Sequence, residues 1–287
     1  MAWFVFAFLT AFFSSLKDIL SKNSLSRVDE YLAAWSLRFF AFLTLFPLLL
    51  FIEIPPLGPM FWVALLLSGA INTVSTILLM KALKSSDISL SIPLINMEPL
   101  FLLAAAPLIL GEFPSGLGLI GVFLIMSGAY LLNLKENQKG IFSPIKAILQ
   151  EKGPRLMIIV AMLWSISSSI DKVGLTNSSA AFWVICLNGF LSLSLFPLMA
   201  LKSKSLDELP KNLKLTAPAG FFNGIANLFQ MIAFSMTLVI YVASIKKLSS
   251  VLTVIYGGIM LKEKGLKRRL AATLLMVLGS IVILLGA

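Results

Sequence analysis

Histidine is absent from this 287-residue chain, which removes the commonest general base and metal ligand. Cys186 is the only cysteine, so an internal disulfide is excluded. Charge is sparse at 13% of residues and lopsided, with 13 acidic groups against 23 Lys and Arg. No glycine-rich Walker loop occurs, so ATP-driven pumping by this chain is not expected. What remains is apolar: 59% of residues are hydrophobic and the mean hydropathy is +0.97. Such a composition does not suit a soluble globule, whereas apolar runs of about 20 residues match a hydrocarbon core roughly 30 Å thick. The chain reads as a polytopic helical membrane protein.

Ten apolar stretches follow, at 2–20, 31–51, 60–80, 87–110, 115–134, 155–174, 180–201, 213–235, 239–261 and 267–286. The first has no basic segment before it and no small-residue cleavage site after it, so it is expected to stay as a helix. A repeat at a constant offset of 151 residues divides the set. Gly69 falls on Gly220, Asn72 on Asn223, Met80 on Met231, Ala82 on Ala233, Glu112 on Glu263 and Gly128 on Gly279. Identities are few, but the polar and glycine landmarks coincide in one frame, and that is the signature of an internal duplication. The expected organisation is a first five-helix repeat at 1–134, a cytoplasmic linker at 135–154 and a second repeat at 155–287. Within the linker, Ser143-Pro144 followed by Ile145, Ile148 and Leu149 reads either as a short amphipathic helix on the membrane surface or as a solvated connector.

Basic residues orient the chain. Eighteen of the 23 lie in odd-numbered loops, and none lies in an even loop or at a terminus. Basic loops stay cytoplasmic, so both termini are expected outside, with the chain in the inner cell membrane. The net charge of +10 is then a cytoplasmic rim facing anionic headgroups, and nucleic acid is not needed to explain it. Five spans per half is an odd number, so equivalent loops face opposite sides. The fold class is therefore an all-α membrane protein of ten transmembrane helices, arranged as two inverted five-helix repeats. Proteins of that plan hold their solute near the midplane between the halves.

Five basic residues lie inside spans: Lys17, Arg38, Lys172, Lys246 and Lys247. Lys17 and Asp18, like Asp171 and Lys172, are within about a turn of a span end and are expected to snorkel to the interface. Lys246 is roughly 10 Å from its nearer end, Lys247 slightly deeper, and Glu98 about 16 Å from either end at 1.5 Å per residue. Charges at such depth face a bundle interior or a water-filled cavity. Glu98, Lys246 and Lys247 are thus the leading candidates, either as an ion pair holding the halves together or as groups that bind an ionic solute or exchange a proton. Neighbouring residues point about 100° apart on a helix, so the two lysines cannot both face one cavity squarely.

The fourth span carries Pro93, Pro99 and Pro107, whose mates are Ser244, Ser250 and Gly258. Proline removes a backbone donor and kinks a helix, and in a membrane the freed carbonyl needs a protein or water partner. A broken helix is expected in the first copy and a softer one in the second. Ser127, Gly128 and Gly279 read as packing residues at helix crossings, and the serines at 165 and 167–169 likewise.

Together with the repeat, Ala82-Leu83-Lys84, Glu98-Pro99 and Leu110-Gly111-Glu112, with Leu261-Lys262-Glu263 in the second copy, resemble the EamA-type ten-helix proteins of the drug/metabolite transporter superfamily. The second copy has Lys246-Lys247-Leu248 where many members carry their Glu-Pro region. The resemblance implies peripheral end helices at 115–134 and 267–286 and eight helices around a central cavity. Candidate lining residues are Arg38, Asn72, Asn96, Trp164, Asn188, Asn223, Asn227 and Gln230, beside Glu98, Lys246 and Lys247. Asn72 and Asn223 read equally as structural, and Trp164 equally as an interface anchor. Glu112 and Glu263, at span ends, are expected to pair with loop lysines or to act at gates. The implied activity is secondary transport of small polar or charged metabolites, most readily export, by alternating access. The expected partners are a small-molecule substrate, with proton coupling left open, and the lipid bilayer, in a monomer or a dimer. No cofactor and no catalytic residue is expected. A passive channel, a lipid flippase and, less readily, a membrane-embedded enzyme remain alternatives.

Overall fold

The computed structural model describes residues 2–25, 27–85, 94–133, 145, 150–203, 209–252 and 266–287. Among them are ten helices: α1 (Ala2–Leu25), α2 (Glu30–Leu45), α3 (Phe61–Ser85), α4 (Glu98–Leu110), α5 (Gly116–Asn133), α6 (Lys152–Thr176), α7 (Ala180–Lys202), α8 (Leu209–Met236), α9 (Val239–Lys246) and α10 (Leu266–Gly286). Five stretches, at Ala2–Ser21, Glu30–Leu50, Phe61–Leu79, Lys152–Thr176 and Ala180–Lys202, are long and apolar enough to cross a membrane. The expected linker helix lies outside the described residues except at Ile145, as do Pro93, Gly258 and Glu263.

Local chemistry sets the helix ends. Asp29 caps α2, its Oδ1 accepting from Tyr31 N at 2.9 Å and Leu32 N at 3.0 Å, and Ser179 caps α7 through Phe182 N at 3.3 Å. Pro47 tightens the continuation of α2 into a 3-10 turn, Phe46–Leu50. Gly111 closes α4 in the left-handed conformation at φ 68°, which glycine adopts without steric cost.

The two halves pack with two-fold correspondence when α1 to α5 are laid on α6 to α10. The α1–α8 contact has its mate in α6–α3, α4–α6 in α9–α1, and α2–α8 in α7–α3, while α2–α7, α4–α9 and α5–α10 are their own mates. Each half thus completes the other. The α5–α10 pair packs chiefly on itself, at the edge of the bundle. There a methyl added to Gly121 would lie 2.6 Å from the Gly279 carbonyl, and one added to Gly279 would lie 2.7 Å from the Gly121 carbonyl. Gly128 meets Met276 and Ala272 in the same seam, whereas Ser127 is exposed. Large apolar side chains such as Leu50, Phe51, Trp62, Leu108, Leu193 and Leu274 face outward. That surface suits lipid, and the polar residues turn inward instead.

Candidate functional site

Both fourth helices break, at the same place in the repeat. Leu94 and Ile95 are helical, Asn96 and Met97 form a turn, and α4 restarts at Glu98. In the second copy α9 ends at Lys246, Lys247 and Leu248 form the turn, and helix resumes at 249. The offset of 151 superposes the two turns, and their hydrogen bonds correspond. Met97 N donates to Leu94 O at 3.1 Å and Leu248 N to Ile245 O at 2.9 Å; Leu100 N donates to Met97 O at 2.9 Å and Val251 N to Leu248 O at 3.0 Å. The second copy is therefore broken as well, although a serine stands there in place of Pro99.

The charged residues sit at these breaks. Pro99 has no N–H to offer Ile95, four residues back, and Lys247 Nζ lies 3.4 Å from the Ile95 carbonyl oxygen. The same ammonium pairs with Glu98 Oε2 at 2.7 Å, with both residues under 10% exposed. Ser168 Oγ lies 3.5 Å from the other carboxylate oxygen. Glu98 occupies the first turn of α4 and Lys246 the last turn of α9, so each charge has the sign its helix end favours. The lysines diverge: Lys246 Nζ donates to Gln230 Oε1 on α8 at 2.7 Å.

A polar stripe on α6 extends the site. Trp164, Ser167, Ser168 and Asp171 fall at helical spacing on one face. Ser68 donates to Asp171 Oδ1 at 2.5 Å and lies 3.3 Å from Ser167 Oγ. Asn72 donates to the Ser68 carbonyl at 3.0 Å, to Ser68 Oγ at 3.1 Å and to Ser167 Oγ. Trp164 Nε1 donates to Ser75 Oγ at 3.1 Å, which ties its indole into the α3–α6 seam. Asp171 is buried and lies within electrostatic reach of Arg38 and Lys246. The expectation that it snorkels to the interface is corrected: the packing of α3 on α6 covers it. Lys172 does not snorkel freely either, since it pairs with Glu112 and donates to Thr237 O at 2.6 Å. Glu112 accepts in turn from Val239 N at 2.9 Å.

The structure therefore joins Glu98 to Lys247 directly, places Lys246 within their field, and groups Asn72 with Trp164 and Asp171 along α3 and α6. Among the described residues, no hydrogen bond links Arg38, Asn188 or Asn223 to the ion pair. Asn188 Nδ2 donates to its own helix, at Val184 O, 2.8 Å away. Arg38 Nε, Asn96 Nδ2, Asn223 Nδ2 and Asn188 Oδ1 are enclosed without a partner among the described residues. Ser68, Ser168 and Asp171 were missed as site residues, although the spacing along α6 carries a signal for the last two. Among the described residues there is no group of three or more side chains suited to hold a metal ion. An open cavity of about 410 Å³ lies apart from the ion pair, at the bundle end carrying the loops without basic residues, and is lined in part by Phe113, Ser115, Lys172, Thr237 and Tyr241.

Comparison with known proteins agrees with this architecture. The family model of the EamA-like transporter family matches residues 1–134 and again 152–285. One solved crystal structure of a protein superposes with a TM-score of 0.80 at 15% sequence identity, over 99% of this chain and 97% of that one. At that identity the likeness speaks for the fold alone. No curated protein matches the sequence.

Proposed function

Since this chain belongs to the EamA-like transporter family and is a multi-pass membrane transporter, we propose that it is a secondary transporter of small polar or charged metabolites, working as an exporter by alternating access. The observation that carries the proposal is the coincidence of the two helix breaks, with Glu98 and Lys247 meeting between them. Broken helices at mid-depth are where inverted-repeat transporters hold their cargo, because unwound backbone and helix ends offer polar groups that intact helices hide. Glu98, Lys246, Lys247, Asn72, Asn96 and Trp164 form the solute-facing set on this reading, with Arg38, Asn188 and Asn223 approaching from α2, α7 and α8. Rocking of the half at 1–134 against the half at 155–287, joined by 135–154, exposes them alternately to the two sides. Export is taken from the family resemblance.

The basic odd loops support a cytoplasmic linker and external termini in the cell membrane; a tag at residue 287 accessible only from the cytoplasm would reverse that topology. The transport reading is tested with purified protein in liposomes loaded with unlabelled solute. Saturable counterflow of labelled solute is expected. Uncoupled flux proportional to concentration would favour a channel, and movement of labelled lipid a flippase.

A further inference from the structure

We infer that the transported solute is a small organic anion, its acidic group received by Arg38. This rests on the transporter reading above and narrows it to one charge class.

Among the described residues, the interior has one more positive group than negative. Arg38, Lys246 and Lys247 face Glu98 and Asp171. Lys247 and Glu98 neutralise each other at 2.7 Å. Lys17 and Asp18 pair at 2.7 Å, and Lys172 pairs with Glu112, so neither couple alters the balance. Asp171 is left as one carboxylate within reach of two cations, Arg38 and Lys246. Among the described residues, the two interior cations without a carboxylate contact, Arg38 and Lys246, are partly exposed, whereas Glu98, Lys247 and Asp171 are buried.

Hydrogen bonding points the same way. Arg38 carries five N–H donors in a planar fork that matches a carboxylate, and its Nε is enclosed without a partner among the described residues. It lies on the face of α2 that also carries Ala34, Trp35 and Ala41, all buried, so it is directed into the bundle and away from lipid. The amide nitrogens of Asn96 and Asn223 add further enclosed donors without a partner, against one such acceptor, Asn188 Oδ1, among the described residues. An interior with surplus donors and one surplus positive charge among the described residues suits an acceptor-rich anion. A cationic solute would raise the buried charge from one to two or more, which low-dielectric surroundings penalise.

The test is counterflow in liposomes with six probes: lactate, gluconate and 4-hydroxybenzoate as anions, choline and putrescine as cations, and mannitol as a neutral solute. At least one anion is expected to show saturable counterflow, with choline and putrescine inert. Counterflow of a cation or of mannitol without any anion would overturn the inference and leave the transporter reading standing. No counterflow of any probe would overturn both. For the anion carried, Arg38→Gln should raise the half-saturation concentration roughly ten- to a hundredfold, the worth of hydrogen bonds to a charged group. Arg38→Lys, which keeps the charge but loses the fork, should lie between that variant and the parent. An unchanged half-saturation concentration in Arg38→Gln would overturn the role of Arg38; if that variant does not fold, the same result in Arg38→Lys would do so.

Discussion

Replacing Lys247 by Met separates two jobs that the Glu98–Lys247 pair can perform. The substitution removes the only cation in contact with Glu98 among the described residues; Glu98 is 5% exposed and otherwise has Ser168 Oγ at 3.5 Å. Breaking a buried pair from one side costs about 3–5 kcal/mol. The N-terminus of α4 offsets about 1 kcal/mol by favouring negative charge in its first turn. A net loss of about 2–4 kcal/mol is expected in the single variant. Adding Glu98→Gln removes the stranded charge, and replacement of both partners of such a pair is often nearly neutral. The double variant should therefore regain most of the lost stability while remaining inactive in counterflow. Reversible unfolding in mixed micelles measures the first quantity, and liposome counterflow under saturating internal solute measures the second. Recovery of both stability and transport in the double variant would reduce the pair to a clasp between the halves. Parental transport by Lys247→Met alone would remove it from the solute path.

Two further outcomes test other parts of the structure. Gly279→Leu forces a side chain against the Gly121 carbonyl and Ile125, and overpacking of this kind costs about 1–3 kcal/mol; thermal unfolding should drop by several degrees, and an unchanged midpoint would contradict the close α5–α10 crossing. Lys172→Met removes the bridge from Glu112 to the Thr237 carbonyl. A cysteine placed at position 237 in a Cys186→Ser background should then react with a polar maleimide several times faster, and an equal rate would mean that the bridge does not hold that end of the bundle shut.

The membrane class, the span count and the inverted duplication were legible because each rests on a property that survives divergence: apolar length, loop charge and the spacing of glycine and polar landmarks. The depth argument singled out Glu98, Lys246 and Lys247, and the structure brings Glu98 and Lys247 into contact. It misjudged Asp171. Distance from a helix end estimates exposure only when nothing covers that end, and α3 covers this one. The break in the second copy was also underestimated, because proline is the visible cause in the first copy and no proline marks the second. There Ser250 N reaches Lys247 O at 3.1 Å, a tightened turn that composition does not announce. Lys247 as the donor to the Ile95 carbonyl could be anticipated only in kind: Pro99 requires that something supply a hydrogen there, but no local pattern says which of two adjacent lysines turns that way.

The matched breaks also bear on how the two copies differ. Ile95, Asn96 and Glu98 stand where the second copy has Lys246, Lys247 and Ser249. Two first halves, assembled head to tail as an antiparallel homodimer, would bring two Glu98 carboxylates to the axis with no ammonium between them and two freed Ile95 carbonyls with no donor. Two second halves would bring two Lys247 ammonium groups together with no carboxylate between them, since Ser249 stands where Glu98 would be. At these few positions each half supplies a charge that the other lacks, so the backbone keeps the two-fold correspondence while the side chains at the breaks depart from it.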